Sequence, residues 1–397
     1  MSQPYLSVAR DAVLVLAAAP LLYYALSAAA SVRFFRRERR RKLEEFMPPV
    51  SVLKPVRGVD AGSYENYLSF LHQDYPDYEI VFAARETNDP AASLVRRIIA
   101  EHPGRRVRLL VGSPRLGANG KVNKLCRLAK EARHEILVIS DGDVRVGPRY
   151  LRRVVAPLAD GKTGLVTCFY RAIAAPDIFA ELEAVGAASD FFAGVLTADW
   201  LEGMRFALGA SMTTTKLWVK KAGGFEAIVD AHSDDYELGN RIAKQGGRVV
   251  LSAEAVWTMY TAESAKEFWE HQVRWARTVR LCRPASYAGL IFTHGLPWAV
   301  LAALVAPSRG IAAGFVAAYL ALRFAQAWAV GVWGVRDAVL RRKLWLVPIR
   351  DAVNFVVWLA SFASNRISWA GEEFEIQGGA MVAAGEVAEA AAGRARE

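Results

Sequence analysis

Cysteine is scarce in this chain of 397 residues. Cys126, Cys168 and Cys282 lie far apart and none belongs to a CxxC pair. That excludes a zinc knuckle and a disulfide framework, and it fits a reducing, cytoplasm-facing catalytic domain. Glycine-rich phosphate motifs are missing too. No GxGxxG follows the first expected strand, and no GxxxxGK[ST] occurs, so a Rossmann dinucleotide site and a P-loop are both excluded. No helix-turn-helix or RNP-type pattern accompanies the net charge of +10, so nucleic acid is not an expected partner. Much of that charge sits beside apolar runs, where it sets membrane topology or meets anionic lipid.

Apolar residues are abundant. They make up 53% of the chain, and mean hydropathy is +0.15. Residues 12–32 carry no charge, and 21 positions suffice to cross a hydrocarbon core of about 30 Å. Arg33, Arg36, Arg37, Arg39, Arg40, Arg41 and Lys42 follow at once, whereas only Arg10, beside Asp11, precedes the run. The positive-inside rule puts the N-terminus outside and residue 33 onward in the cytoplasm. Ala28-Ala29-Ala30 resembles a signal cleavage site. An uncleaved anchor is the better expectation, since cleavage would require this basic cluster to be translocated. Residues 1–47 are therefore expected to be an anchor and basic linker.

Residues 284–370 form the second apolar region. Spans are expected over 288–306 and 311–335, the latter with Arg323 near its middle. An intramembrane arginine hints at function, but it can also snorkel or pair with another helix. The segment 344–363 is interrupted by Arg350-Asp351, so a full crossing and a re-entrant helix are equally open. A tail over 371–397, rich in Ala, Gly and Glu from Gly378, is expected to be disordered.

Between residues 48 and 283 strands and helices alternate. Strands are expected at 50–53, 78–84, 107–111 and 135–139, with helices at 63–72, 91–101 and 122–132 between them. This order predicts an α/β domain with a largely parallel sheet covered by helices. Ligands of such sheets bind at the carboxyl ends of strands. Asp141-Gly142-Asp143 follows the fourth strand directly. Further on, 165–170 reads as a strand and 176–193 as a helix. Ala207 to Thr214 is a run of small and hydroxyl residues. Ser233 is placed to cap a helix starting at Asp234, and Ser264 with Glu267 forms a capping box for a helix reaching about residue 280.

Two carboxylates one residue apart at a strand end can share one cation. Mg²⁺ and Mn²⁺ prefer oxygen ligands, and Mg²⁺ combines one or two carboxylates with substrate phosphates. Such a cation would neutralise a leaving diphosphate. Short acidic turns are also common as solvated surface features. Asp234-Asp235 could supply a general base, or simply meet the positive end of a helix dipole. The HQVRW segment could be a lid over a diphosphate or an ordinary interfacial anchor. Gly117-Ala118-Asn119-Gly120-Lys121, a glycine-bearing turn before a helix, could put backbone N–H groups and Lys121 near a phosphate.

The order of these elements is more specific than any one of them. Asp89, then DGD, then DDY, then xxxRW resembles the processive-type glycosyltransferase pattern of three aspartate motifs followed by (Q/R)xxRW. The local wording is similar to the ceramide glucosyltransferase family and its bacterial relatives, including hopanoid-associated glycosyltransferases. It is carried by VSVLKPVRGVD (50 to 60), QDYPDYEIVF (73 to 82), NDPA (88 to 91), LGANGKVNKL (116 to 125), SDGDVRV (140 to 146), GGF (223 to 225), SDDYELGNRIAKQG (233 to 246) and HQVRWART (271 to 278). From about residue 48 it runs to Ile367-Ser368-Trp369.

The resemblance implies a GT-A nucleotide-sugar-binding fold with transmembrane helices, an inverting mechanism, a UDP-sugar donor and a membrane lipid acceptor. By it Asp89 would contact the nucleoside. Lys121 and Asn123 would lie near the diphosphate. Asp141 would match the second aspartate motif, and Asp143 would complete a DxD that holds Mg²⁺ or Mn²⁺. Asp235 would be the base, with Arg274 and Trp275 closing over diphosphate and acceptor. The first position of (Q/R)xxRW is His271 here, and Gln272 stands one place out of register. The expected reaction is transfer of glucose from UDP-glucose to the primary hydroxyl of a lipid such as ceramide, at a bacterial-type inner membrane. The alternative is a hopanoid or other isoprenoid acceptor with UDP-N-acetylglucosamine or another UDP-sugar. A polymerising synthase is disfavoured by the short chain and few spans. A transporter built from repeats would need more spans.

Overall fold

Val50-Ser51-Val52-Leu53-Lys54-Pro55 is a mainly apolar run with two β-branched valines, one serine and one lysine, and all six residues are buried as strand β1. In the computed structural model, which describes residues 4–42, 45–261, 264–369, 372–383 and 385, β1 lies inside an eight-stranded sheet. The chain divides into two units. One comprises Met1–Arg39, Arg171–Gly203 and Tyr260–Asn365, and the other Arg40–Tyr170, Met204–Met259 and Arg366–Glu397.

The second unit holds the sheet. Its strands are β1, β2 (Tyr78–Ala84), β3 (Val107–Val111), β4 (Ile136–Ser140), β5 (Val144–Arg145), β6 (Thr163–Ala174), β7 (Ser211–Thr215) and β8 (Arg248–Tyr260), in the order β3-β2-β1-β4-β7-β6-β8-β5. Helices Ser63–Leu71, Pro90–Glu101 and Gly120–Glu131 connect the first four strands. Those four pair in parallel, as βαβ crossovers require. β7 pairs antiparallel with both β4 and β6, and β5 antiparallel with β8. The expected α/β architecture is present, with its parallel character confined to one half of a mixed sheet. Val52, Leu53, Val81, Phe82 and Val138 are wholly buried, each contributing about 1.5–3 kcal/mol.

Chain order reverses at β1. From β1 the chain builds outward to β3, then returns to place β4 on the other side of β1. In α/β sheets this switch point opens a crevice at the carboxyl ends of the strands. Here those ends lead into Val56-Arg57-Gly58 and Asp141-Gly142-Asp143.

The second unit also contains a three-stranded antiparallel sheet of β9 (Arg366–Trp369), β10 (Glu372–Gln377) and β11 (Ala380–Ala383). This corrects the expectation of a disordered tail from Gly378. Gly378 and Gly379 have φ of 59° and 89°, and both fit a two-residue turn that needs positive φ at both positions. Alanine and glycine content pointed to disorder, but alternating burial of Phe374, Ile376 and Met381 holds the hairpin. Positions 384 and 386–397 of that tail lie outside the described residues.

The other unit is helical. Ser7–Arg40, Arg309–Val335 and Leu344–Ser361 are long and apolar enough to cross a membrane. The region of the span expected over 288–306 holds a pair of helical segments, Pro284–Thr293 and Gly295–Val305, bent by 48° and together apolar enough for one broken span. Pro297 lacks the N–H that would bond back to residue 293. Gly295 lets the Tyr24 ring lie against the backbone, and its N–H donates to Tyr24 Oη at 3.0 Å. In Leu344–Ser361 the charges that put a crossing in doubt, Arg350 and Asp351, are both buried, and Asp351 is paired. Asp351 takes Arg323 at 2.8 Å and the Tyr319 hydroxyl at 2.8 Å. Arg323 is 1% exposed and also reaches Asp190 at 2.7 Å and Ser189 at 3.1 Å. It pairs with another helix rather than snorkelling. The expected helix over 176–193 is interrupted by one wide turn at Ala187–Phe191, which presents Ser189 and Asp190 to that arginine.

Candidate active site

Lys121 is the hub of the site. It opens helix Gly120–Glu131, and its ammonium lies 2.8 Å from Asp141 Oδ1 and 3.1 Å from Asp234 Oδ2. The contact with Asp234 is a charge pair without hydrogen-bond geometry. Burial alone would lower the lysine's proton affinity, but Asp141, Asp234 and Asp235 raise it above the ordinary value, so the group stays charged. The three aspartates come from the end of β4 and the start of helix Asp234–Lys244, nearly one hundred positions apart.

Asp143 is the other carboxylate of the DGD turn. Burial, then the charge of Asp141, pushes it up to about 6 against the pull of Lys54 and Lys121. Among the described residues no three acidic, His or Cys side chains converge closely enough to hold a metal by themselves. Two carboxylates with excess negative charge nevertheless suit a hard divalent cation whose shell is completed by phosphate oxygens and water. Asp141 and Asp143 would hold it.

Asp235 is held differently from its neighbour. Its Oδ1 accepts from Ser233 Oγ at 2.8 Å and from Tyr236 N at 2.7 Å. The serine therefore does not cap the helix as expected, because its hydroxyl donates to this carboxylate instead of accepting from a backbone N–H. Oδ2 takes no hydrogen bond among the described residues. A Cβ on residue 209 would sit 2.9 Å from Oδ2, so Gly209 leaves room beside that oxygen. Burial first, and the charge of Asp234 second, raise the Asp235 carboxyl above its ordinary value, offset in part by Lys121.

Two other sequence candidates have structural tasks. Asp89 caps helix Pro90–Glu101, its Oδ1 accepting from Ala91 N and Gly58 N, both at 2.9 Å. It thereby ties the loop after β2 to the loop after β1. Asn123 is buried, with Oδ1 accepting from Leu116 N and Gly117 N at 3.1 Å and Nδ2 donating to Gly117 O at 2.8 Å. The turn before helix Gly120–Glu131 is not an open anion nest. Asn119 Oδ1 takes the N–H groups of Lys121 and Val122, and Asp230 Oδ1 takes that of Ala118. The charged group that this turn offers is the Lys121 ammonium.

Lys54 had no role assigned from sequence. It is buried, donates to Asp141 O at 2.6 Å, and its ammonium lies 3.9 Å over the Phe70 ring. Burial brings it down to about 7, although Asp143 and Asp141 oppose this. A single charged residue in a buried, mainly apolar strand was the signal that could have found it.

His271, Arg274 and Trp275 belong to the helical unit, on helix Ala265–Cys282. Ser264 caps it as expected, with Oγ accepting from Glu267 N at 3.2 Å. His271 Nδ1 lies 2.7 Å from Glu183 Oε1, and the ring packs edge-on against Trp275 at 5.2 Å. Gln272 is buried and accepts from Arg350. His271, half-buried, is therefore the residue that shares a helix face with Trp275, one turn away. Burial lowers the Arg274 group from its ordinary value, and the charge of Glu183 opposes that.

Three aspartates, Asp141, Asp234 and Asp235, thus gather around one lysine near the switch point of an α/β sheet. The chain belongs to glycosyl transferase family 21, whose model matches residues 12–382. It is 24% identical over 232 residues to ceramide glucosyltransferase 1 of Caenorhabditis elegans, which covers 58% of this chain and 50% of the relative. With the ceramide glucosyltransferase of Komagataella phaffii the identity is 31% over 113 residues, 28% of this chain and 22% of the relative. The matched part of the chain spans about half the length of the Caenorhabditis relatives. Among solved structures, the mannosyltransferase PcManGT from Pyrobaculum calidifontis, in complex with GDP-Man and Mn²⁺, matches with a TM-score of 0.47 and 20% identity over 86% of this chain and 99% of its own. GalNAc-T7 with UDP, GalNAc and Mn²⁺ matches with a TM-score of 0.42 and 13% identity over 60% and 48%.

Proposed function

We propose that this glycosyltransferase moves glucose from UDP-glucose to the primary hydroxyl of a membrane lipid such as ceramide, with inversion to a β-glycoside. The observation that carries this reading is the Asp141–Lys121–Asp234 bridge beside a separate carboxylate, Asp235, with one free oxygen. Support for the acceptor comes from the ceramide glucosyltransferase relatives and from the three long apolar helices.

A divalent cation on Asp141 and Asp143 would supply charge neutralisation for the donor diphosphate. The chain's own residues do the rest. Asp235 Oδ2 removes the acceptor hydroxyl proton, and raised proton affinity makes it a better base than a solvated aspartate. The acceptor oxygen forms its bond to the anomeric carbon as the bond to the diphosphate oxygen breaks, and the electron pair leaves with the diphosphate. Lys121 keeps its positive charge beside the leaving group. Ser233 and Tyr236 N–H fix the Asp235 carboxylate so that its free oxygen faces one direction. The donor would reach this site from the cytoplasm, the side on which the basic cluster after Val32 puts residue 33 onward.

Purified protein with labelled UDP-glucose and ceramide should yield a β-linked glucolipid, and Asp235→Asn should abolish transfer while leaving UDP binding within a few-fold. Turnover by Asp235→Asn at wild-type rate would overturn the base assignment. Labelled product from UDP-N-acetylglucosamine and an isoprenoid lipid, with none from ceramide, would overturn the substrate assignment.

A further inference from the structure

The segment that leads into Asp234-Asp235 is gripped from two sides. On one side is the loop that carries Lys121. Asn119 N donates to Val229 O at 2.7 Å, Asn119 Nδ2 to Ala231 O at 2.9 Å, and Ala118 N to Asp230 Oδ1 at 2.8 Å. A side chain on residue 117 would collide with Val229 and Asp230, so Gly117 permits this close approach. On the other side is the C-terminal hairpin. Met381 N donates to Asp230 O at 2.8 Å, Ala231 and Ala380 form an antiparallel bridge, and His232 Nδ1 lies 2.8 Å from Gly379 O. Three residues later stands Asp235.

We propose that the β10–β11 hairpin is a positioning element of the transfer site, with His232 and Gly379 as its positioning residues. Resting on the function proposed above, this gives the hairpin a task beyond stability. The segment from Val229 to Ser233 has no helix or long strand of its own to fix it. Its backbone groups are instead divided between the Lys121 loop and the hairpin. Releasing the hairpin would free one edge of this segment. The start of helix Asp234–Lys244, and with it the free oxygen of Asp235, would then sample other positions. The donor-side residues Lys121, Asp141 and Asp143 keep their own anchors, so donor affinity should be less affected than turnover. The turn depends on Gly379, whose φ of 89° a branched side chain would strain.

The test uses the full chain in nanodiscs and four variants: a stop after Ala383, a stop after Gln377, His232→Ala and His232→Asn. The stop after Ala383 keeps β11 and should keep kcat. The stop after Gln377 should lower kcat on the order of 100-fold, the scale expected for misplacing a reacting group by about an ångström. Its KM for the UDP-sugar should stay within a few-fold. His232→Ala should lower kcat, and His232→Asn, which keeps an N–H donor toward Gly379 O, should recover much of it. If the Gln377 stop fails to fold, the two His232 variants decide. Wild-type kcat in the Gln377 stop, or equal loss in His232→Ala and His232→Asn, overturns the proposal. Hydrogen exchange over residues 229–236 separates this proposal from the assignment of substrates. Faster exchange in the Gln377 stop supports the clamp even if no lipid is glucosylated. Unchanged exchange there rejects the clamp whatever the activity.

Discussion

At the residue scale the site is a balance of charge. Lys121 is largely buried between Asp141 and Asp234, and it is the cation whose ammonium lies within 3.1 Å of carboxylate oxygens from both, while Lys54 acts on the Asp141-Asp143 side alone. Breaking a buried pair by deleting one partner costs about 3–5 kcal/mol, because the remaining charge is left uncompensated. Lys121→Met should therefore lower the thermal midpoint of the protein. Mg²⁺ or Mn²⁺ should restore part of that loss, since a cation on Asp141 and Asp143 replaces some of the missing charge. Thermal unfolding with and without the metal checks both. A variant as stable as wild type, or one indifferent to the metal, would speak against the charge balance described. Which residue types take part was legible from sequence: DGD after an apolar run, DD at a helix start, a lysine between them. The division of labour was not. Asp89 and Asn123 look like polar site residues in sequence, and in the fold the Oδ1 of each also accepts from two backbone N–H groups of neighbouring loops. Side-chain orientation decided that, and composition cannot report it.

At the element scale the helical unit depends on polar contacts between apolar helices. Arg323 on helix Arg309–Ala327 meets Asp351 on helix Val347–Ser361 and Asp190 on the wide turn Ala187–Phe191. Arg323→Met should destabilise the protein by about 3–5 kcal/mol, by stranding the buried Asp351 and the part-buried Asp190. Combining it with Asp351→Asn should cost less than the sum of the single changes, because the two residues share one interaction. Urea unfolding of the three variants in mild detergent measures this, and strict additivity would show that the pair is not coupled. From sequence, Arg350-Asp351 made this helix ambiguous. Hydropathy counts a charge as a penalty wherever it stands, whereas the pairing of Asp351 with Arg323 offsets part of that penalty. The bend at His294 had the opposite history. Residues 288–306 pass a hydropathy reading, yet Pro297 and the Tyr24 contact at Gly295 break the helix.

At the scale of the whole molecule, the basic run after Val32 predicts that the sheet-bearing unit faces the cytoplasm. A cysteine placed at Ala61, in a variant lacking the native three, should react with a membrane-impermeant thiol reagent only after the cells are opened. Labelling of intact spheroplasts would reverse the topology and remove the supply of nucleotide sugar. The same unit contains the C-terminal hairpin, whose residues follow the helical unit in sequence but return to the sheet-bearing one. No local signal announces such a return, although the Gly378-Gly379 pair between two short alternating segments marks a hairpin.

The sequence by itself determined the alternation of strands and helices, the apolar helices, the order of the acidic motifs and hence the family. These are local patterns, set by side-chain period, turn chemistry and charge, and they survive without knowledge of the fold. Only the tertiary structure decided that Lys121 bridges Asp141 and Asp234, that Asp235 keeps one oxygen free, that Arg323 is paired, and that the hairpin grips the segment before the base. Each of those facts joins residues far apart in the chain, and depends on which atoms satisfy which hydrogen bonds once water is excluded.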